Sequence, residues 1–159
     1  MINTSKVKRN VALSGVTLES ADATTQAATA RTIIDTFESS KLNLIVKYTT
    51  GATETNNTCV VKVWGYVGVP IDTNELPYSG TPNTTLAADS ANWIQLGTSA
   101  NSSGTVTFTA AHYDVVGAAT DTYLGQFLID LCVSKIMITA SESGVASNKG
   151  SVTVIALTQ

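Results

Sequence analysis

Residues 33–48, IIDTFESSKLNLIVKY, return in altered form at residues 127–139 as FLIDLCVSKIMIT. Each copy has an aliphatic residue followed by Ile-Asp, then a short irregular step, then Ser-Lys, then an apolar strand. Asp35 lies six positions before Lys41, and Asp130 lies five positions before Lys135. The repeat predicts one corner-forming unit that an all-β chain uses twice.

The strand after the first corner has a period of two. Leu42, Leu44, Val46 and Tyr48 alternate with mostly polar residues, so one face of this strand should be buried. In the second copy the apolar parity switches after Ser134-Lys135, and a bulge or corner there would accommodate the switch. Because strands pass between the sheets of a sandwich at corners, we expect sheet changes at residues 35–41 and 130–135.

The other strands complete the pattern of an all-β, antiparallel β-sandwich, jelly-roll-like, with eight or nine strands. Within residues 58–69 a Val-rich face alternates with a face that carries Trp64 and Tyr66, which should be at least partly exposed. We expect residues 136–141 and 151–158 to pair as a closing hairpin. Strand 151–158 is apolar on both faces, so it should be central or covered.

The length of 159 residues indicates one domain. We expect residues 1–10 to be a flexible N-terminal arm and residues 11–159 to form the single sandwich domain. The first strand should have an irregularity at Ser14-Gly15. Residues 70–92 contain all three prolines and predict a long loop. Arm and loop bury too little apolar area to offset their ordering entropy, so we expect both to order only on a partner.

Composition excludes several function classes. Charged residues are 13% of the chain, about half the usual share, and the 25 Thr residues favour strands. The net charge of −3 lacks the basic footprint of a nucleic-acid-binding protein. No apolar run approaches the roughly 18 residues of a membrane helix, and no signal peptide is recognisable. We expect synthesis in a cytoplasm and no nucleic-acid or membrane partner.

Few residues suggest chemistry. Cys59 and Cys132 each lie on a predicted strand, and we interpret them as free buried thiols; a disulfide is the alternative if the strands are neighbours. His112, the single histidine, reads as part of a strand end and not as a metal ligand. Asp35 and Asp130 should accept hydrogen bonds from backbone N–H groups at the corners, the alternative being a catalytic carboxylate pair. We expect no enzyme activity, no catalytic residue, no cofactor and no metal.

Several segments together carry a family resemblance. After the Ile-Asp and Ser-Lys-Leu-Asn-Leu-Ile-Val of the first corner come CVVKVWGY at residues 59–66 and ANWIQLG at residues 91–97. GTVTFT follows at residues 104–109, and SGVA lies in the expected closing hairpin at residues 143–146. Over residues 32–158 this order resembles the small β-sandwich virion proteins of tailed bacteriophages, including capsid decoration proteins. The 70–92 loop departs from the tighter turn of many such proteins.

The resemblance implies a non-enzymatic virion structural protein made in the host cytoplasm. We expect a capsid decoration or cement protein that binds and stabilises the outer surface of the head. Its partners would be itself, as a homo-oligomer with a trimer by analogy, and the major capsid protein or other virion subunits. The alternatives are a neck or tail protein of the same fold and a carbohydrate-binding module with a platform of Trp64, Tyr66, Tyr78 and Trp93. The candidate partner contacts are Lys6, Lys8, Arg9, Trp64, Tyr66 and Tyr78.

Overall fold

The computed structural model describes residues 6–18, 33–54, 57–66, 93–102, 105–144 and 148–159. These residues contain eleven strands and no helix. The strands are β1 (Lys8–Thr17), β2 (Ile33–Asp35), β3 (Lys41–Thr49), β4 (Asn57–Tyr66), β5 (Trp93–Gln95), β6 (Gly97–Ser102), β7 (Thr105–Ala110), β8 (Tyr113–Gly117), β9 (Thr122–Asp130), β10 (Lys135–Ser143) and β11 (Ser151–Thr158).

Two antiparallel sheets form a β-sandwich. One has four strands in the order β1-β11-β3-β9, and the other has the order β2-β10-β4-β5 with β8 also paired to β4. The pairs are nested along the chain, because β1 pairs with β11, β2 with β10, β3 with β9 and β4 with β8. Eight strands in two sheets with this nesting are a jelly roll, which confirms the predicted fold class.

The core lies between the two sheets and follows the predicted periodicity. Leu42, Leu44, Val46 and Tyr48 of β3 are fully buried on one side. The Val-rich face of β4 meets them from the other sheet as part of the same cluster. Period-two alternation in both strands therefore suffices to define the inner faces.

The two predicted corners join the sheets and contact each other. Between β2 and β3, and again between β9 and β10, the chain passes from one sheet to the other, as predicted. The corners pair reciprocally: Lys41 lies opposite Asp130, and Lys135 lies opposite Asp35.

The backbone bonds of the corners repeat this reciprocity. Thr36 N donates to Ser134 O at 2.8 Å, and Leu131 N donates to Ser40 O at 2.8 Å. In both corners the residue that follows Asp is therefore held by the carbonyl that precedes Lys in the other corner. The repeated sequence unit thus forms one interlocked structure.

The closing hairpin was predicted wrongly. Strands β10 and β11 lie in different sheets, and β11 pairs with β1 and β3 instead. The local pattern could not reveal this, because an apolar strand of period two pairs equally well with a neighbour in the chain or with a distant strand. The expectation that this strand is central was right, since β11 has a partner on each side.

The predicted boundary of the N-terminal arm is also corrected. Strand β1 begins at Lys8, and Lys8–Asn10 pair with Thr158–Ala156 of β11. The apolar strand β11 needs a hydrogen-bonding neighbour on its second edge, and these residues supply it. The predicted irregularity is present, with register shifts between Val11 and Val16 and a positive φ of 58° at Gly15.

The three strands β5, β6 and β7, which lie between β4 and β8, account for the difference between the predicted and the observed number of strands. Residues 93–102 are divided at Leu96 into β5 and β6, and β6 pairs with β7 as a separate two-stranded sheet. The described strands therefore number eleven and not eight or nine. The predicted 70–92 loop lies outside the described residues.

Candidate interaction surface

The outer face of the four-stranded sheet is largely apolar. Cross-strand partners share a face of a sheet, so the register defines the rows Arg9-Leu157-Asn43-Leu128, Val11-Ile155-Ile45-Gln126 and Thr153-Lys47-Leu124. Leu128 is 80% exposed, Leu124 73% and Val11 42%. We call this set of residues the outer face. Several exposed apolar residues on one face of a sheet are typical of an interaction site.

The charged residues of the outer face are mostly cations. Arg9 is exposed beside Leu157, and Lys47 is exposed beside Leu124. Lys41 continues the face at the corner, where its Nζ lies 3.2 Å from Asp130 Oδ1. Both partners of this ion pair are largely exposed, so it contributes little to stability. A complementary partner would offer apolar groups together with carboxylates.

A surface pocket opens at the corner end of the outer face. Its volume is about 180 Å³. The lining residues are Val7, Lys41, Leu42, Asn43, Leu128, Leu157 and Gln159. Val7 is 57% exposed immediately before β1. The side-chain oxygen of Asn43 is buried without a hydrogen-bond partner.

The first corner presents a single aromatic side chain. Phe37 is 80% exposed. Its backbone N–H donates to Asp35 Oδ1 at 2.9 Å, and Ser39 N donates to Thr36 O at 2.8 Å across the turn. The Thr36 hydroxyl is anchored on Val133 O at 2.6 Å. These bonds confirm the backbone-bonding role predicted for Asp35; the carboxylate of Asp130 instead bonds Lys41.

The candidate contacts predicted from sequence are divided among several places. Lys6 is exposed just before β1, and Lys8 and Arg9 lie within it. Trp64 and Tyr66 are half-buried on the other sheet, where they pack against the fully buried Met137. Trp64 Nε1 donates to Thr139 Oγ1 at 2.9 Å, and Lys135 Nζ lies 5.7 Å from the centre of the Tyr66 ring. Tyr78 lies outside the described residues.

The exposed leucines were missed although the sequence carried a signal for them. In β9, Leu124 and Leu128 have the opposite parity to Tyr123, Phe127 and Ile129. Both faces of this strand are therefore apolar. Because β9 belongs to one of the two sheets of the sandwich, one of its faces packs on the core and the other, with Leu124 and Leu128, is exposed. Parity alone shows the two-sided character, but which face meets the second sheet comes only from the topology.

A buried polar cluster lies at one end of the sandwich core. Glu142 is fully buried, and its Oε1 accepts hydrogen bonds from the Tyr48 hydroxyl and, at 3.4 Å, from Asn57 Nδ2. Its Oε2 accepts from Gly150 N at 2.9 Å. Burial and the Glu142 hydrogen bond raise the pKa of Tyr48 well above its ordinary value, so Tyr48 stays a donor. The cluster links the two sheets and the β10–β11 connection.

The two cysteines differ in environment. Both are free, Cys59 is buried in β4, and Cys132 is exposed in the second corner. The predicted burial of both thiols is therefore wrong for Cys132, which belongs to the corner and not to a strand. Burial, followed by the charges of Glu142 and Asp114, raises the pKa of the Cys59 thiol to about 12. Cys59 is thus a protonated core residue at neutral pH.

Within the described part of the chain, no group of three or more His, Cys, Asp or Glu side chains could hold a metal ion. His112 is exposed between β7 and β8. Among the same residues there is no helix of the length and apolarity needed to cross a membrane.

Comparisons with known proteins add no relatives: a scan against models of protein families found no match, and a search of curated proteins found none either.

Proposed function

We propose that this chain is a non-enzymatic structural protein of a tailed-phage virion, a decoration or cement protein that binds the outer surface of the capsid. The observation that carries the proposal is the outer face, on which exposed Leu124 and Val11 are accompanied by cations. An apolar patch of this kind suits a large protein partner better than a small substrate.

The fold is one that the proposed function uses. Jelly rolls occur in viral capsid proteins and also in lectins, and a fold alone does not define a function. The sequence resemblance favours the virion. In this reading the protein is made in the host cytoplasm, assembles with itself, as a trimer by analogy, and attaches to the major capsid protein.

The carbohydrate-binding alternative receives less support. A sugar platform needs flat, accessible aromatic rings, whereas Trp64 and Tyr66 are half-buried and already engaged with Thr139 and Lys135. No second function is therefore put forward.

The copy number of the protein distinguishes a decoration protein from a neck or tail protein. Icosahedral multiplicity in purified particles supports decoration, and a number in the low tens or fewer supports a neck or tail.

The test is binding to particles that lack the protein. Leu124→Asp places a charge on the outer face and should weaken binding at least about 10-fold, because an apolar contact becomes a desolvated carboxylate. Val116→Asp is the matched control, since Val116 is 60% exposed but belongs to the other sheet. Equal loss for both variants, or no loss for Leu124→Asp, would contradict the role of the outer face.

A further inference from the structure

Phe37 is an exposed aromatic side chain on a turn whose backbone is fixed by hydrogen bonds. The turn that carries it is fixed by the Asp35 side chain, by the Thr36–Ser39 backbone bond and by the anchored Thr36 hydroxyl. Its exposed fraction of 80% means that the ring has little contact with its own chain. Because the backbone of the turn is already ordered, binding of the ring by a partner should cost little conformational entropy.

The pocket at the end of the outer face has the size and lining for such a ring. Its volume of about 180 Å³ is bounded by the apolar side chains of Val7, Leu128 and Leu157. An apolar cavity of roughly 150 Å³ is known to accept a benzene molecule. A single phenylalanine ring would therefore fit.

The charges around the ring and the pocket are opposite in sign. Phe37 lies between the exposed carboxylates of Asp35 and Glu38. Lys41, which is paired with the exposed Asp130, lines the pocket, and Arg9 lies opposite Leu157 at its edge, so the two cations outnumber the one carboxylate. Complementary charges of this kind favour the matching orientation of two surfaces and disfavour others.

We propose that Phe37 of one copy of this chain inserts into the pocket formed by Val7, Leu128 and Leu157 of a second copy. Every copy carries both the ring and the pocket, so the contact can repeat from copy to copy. A rotation between copies that closes on itself gives a symmetric homo-oligomer. The inference rests on the self-association included in the proposed function, and it names the two surfaces that meet.

Sedimentation of single variants is the first test. Phe37→Asp removes the ring but adds a charge of the sign that suits the basic pocket, so any loss reports the missing ring. It should raise the dissociation constant of the oligomer at least about 30-fold, as expected for a central aromatic contact. Leu128→Asp should do the same from the pocket side, whereas Val116→Asp should sediment as the unmodified chain does.

Mixing the two defective variants is the decisive test. The Phe37→Asp chain keeps an intact pocket, and the Leu128→Asp chain keeps an intact ring, so an equimolar mixture should form 1:1 heterodimers although each variant alone is monomeric. Circular dichroism and thermal unfolding confirm that both variants fold. The inference is overturned if the unmodified chain is monomeric at all concentrations, if either variant keeps the native mass, or if the mixture stays monomeric.

The same variants separate this inference from the proposed function. Binding of monomeric Phe37→Asp to particles through an intact Leu124 surface would leave the capsid proposal standing whatever the oligomer test shows. Conversely, a native oligomer that ignores particles would support the Phe37 contact and contradict the capsid role.

Discussion

At the scale of single residues, Glu142 stands out because its carboxyl group is fully buried and needs hydrogen-bond donors inside the protein. It is fully buried and meets three donors, from Tyr48 of the opposite sheet, from Asn57 of the neighbouring strand and from Gly150 of the following connection. A buried carboxylate is tolerated only when its oxygens are paired in this way. Gly150 is needed for the approach, since a Cβ there would lie 2.8 Å from Glu142 Oε1.

We predict that Glu142→Gln lowers the free energy of unfolding by about 2–3 kcal/mol, because an amide NH₂ would replace an acceptor that faces a donor. Tyr48→Phe should cost about 1–3 kcal/mol through the lost hydroxyl. Denaturant titration measures both. Tyr123→Phe is the matched control: its hydroxyl bonds the Ala119 backbone at the surface, and its loss should cost clearly less. If Tyr48→Phe and Tyr123→Phe lowered the free energy of unfolding equally, the buried hydrogen bond of Tyr48 would contribute no more to stability than an exposed one.

The raised pKa values of Tyr48 and Cys59 predict that the protein becomes less stable at alkaline pH. The folded-state pKa of Tyr48 is raised, and that of Cys59 is raised from 9.0 to about 12. Above their ordinary pKa values the unfolded chain loses these protons while the folded chain keeps them, so the free energy of unfolding falls as pH rises. For Cys59 the fall spans pH 9 to about 12. Tyr48→Phe should make the alkaline slope shallower.

We predict different reactivities for the two thiols. In the native protein Cys132, which is exposed, should be alkylated, whereas Cys59 should react only after unfolding because it is buried and its pKa is raised to about 12. Mass spectrometry of peptides measures both sites. A Cys59 that labels as fast as Cys132 in the native protein would show that the core is open, and a lack of labelling after unreduced denaturation would reveal a disulfide.

At the scale of elements, the sequence was sufficient to predict that the two corners exist. It was not sufficient to predict that they pair with each other. The repeat of Ile-Asp and Ser-Lys, with its parity switch, was enough to place the sheet changes. It gave no sign that Asp35 would meet Lys135 or that Asp130 would meet Lys41, because pairing between distant segments depends on the whole topology. The same limit explains the wrong hairpin of β10 and β11.

The corners offer a comparison between a buried bond and an exposed ion pair. Thr36→Val keeps the shape of a residue that is 1% exposed but leaves Val133 O without its hydroxyl donor. We predict a loss of about 1–2 kcal/mol in unfolding free energy. Lys41→Ala removes only the exposed pair with Asp130 and should cost less than about 0.5 kcal/mol. The reverse order in chemical denaturation would contradict this ranking.

At the scale of the whole molecule, the sequence predicted the sandwich and its inner faces better than its contact surfaces. Period two identifies the buried side of β3 and β4 directly. It does not tell which outer faces stay uncovered, since that depends on how the sheets stack and on neighbouring segments. Trp64 and Tyr66 were therefore predicted as contacts, whereas Leu124, Leu128 and Phe37 are the most exposed large apolar side chains among the described residues.

The basic residues near the N-terminus give a prediction about attachment. Lys6, Lys8 and Arg9 are all exposed, so replacing the three with Ala should weaken particle binding and reduce its salt dependence, because long-range attraction between exposed charges is screened by salt. Measuring binding at several salt concentrations tests this. Deleting residues 1–10 should in addition destabilise the domain, since Lys8–Asn10 pair with β11. Unchanged binding by the triple variant across salt concentrations would assign these cations no role.

The central position of β11 has a consequence for biosynthesis. Strands β1 and β3 have no direct pairing with each other and are joined only through β11. A ribosome finishes that strand after all the others described here, so the four-stranded sheet cannot assemble while residues 151–158 are still being made. Until then β1 and β3 present open edges, which invite pairing with other chains. The nascent protein therefore exposes these strand edges until residues 151–158 have been made, and the long-range pairing that covers them is intrinsically slow.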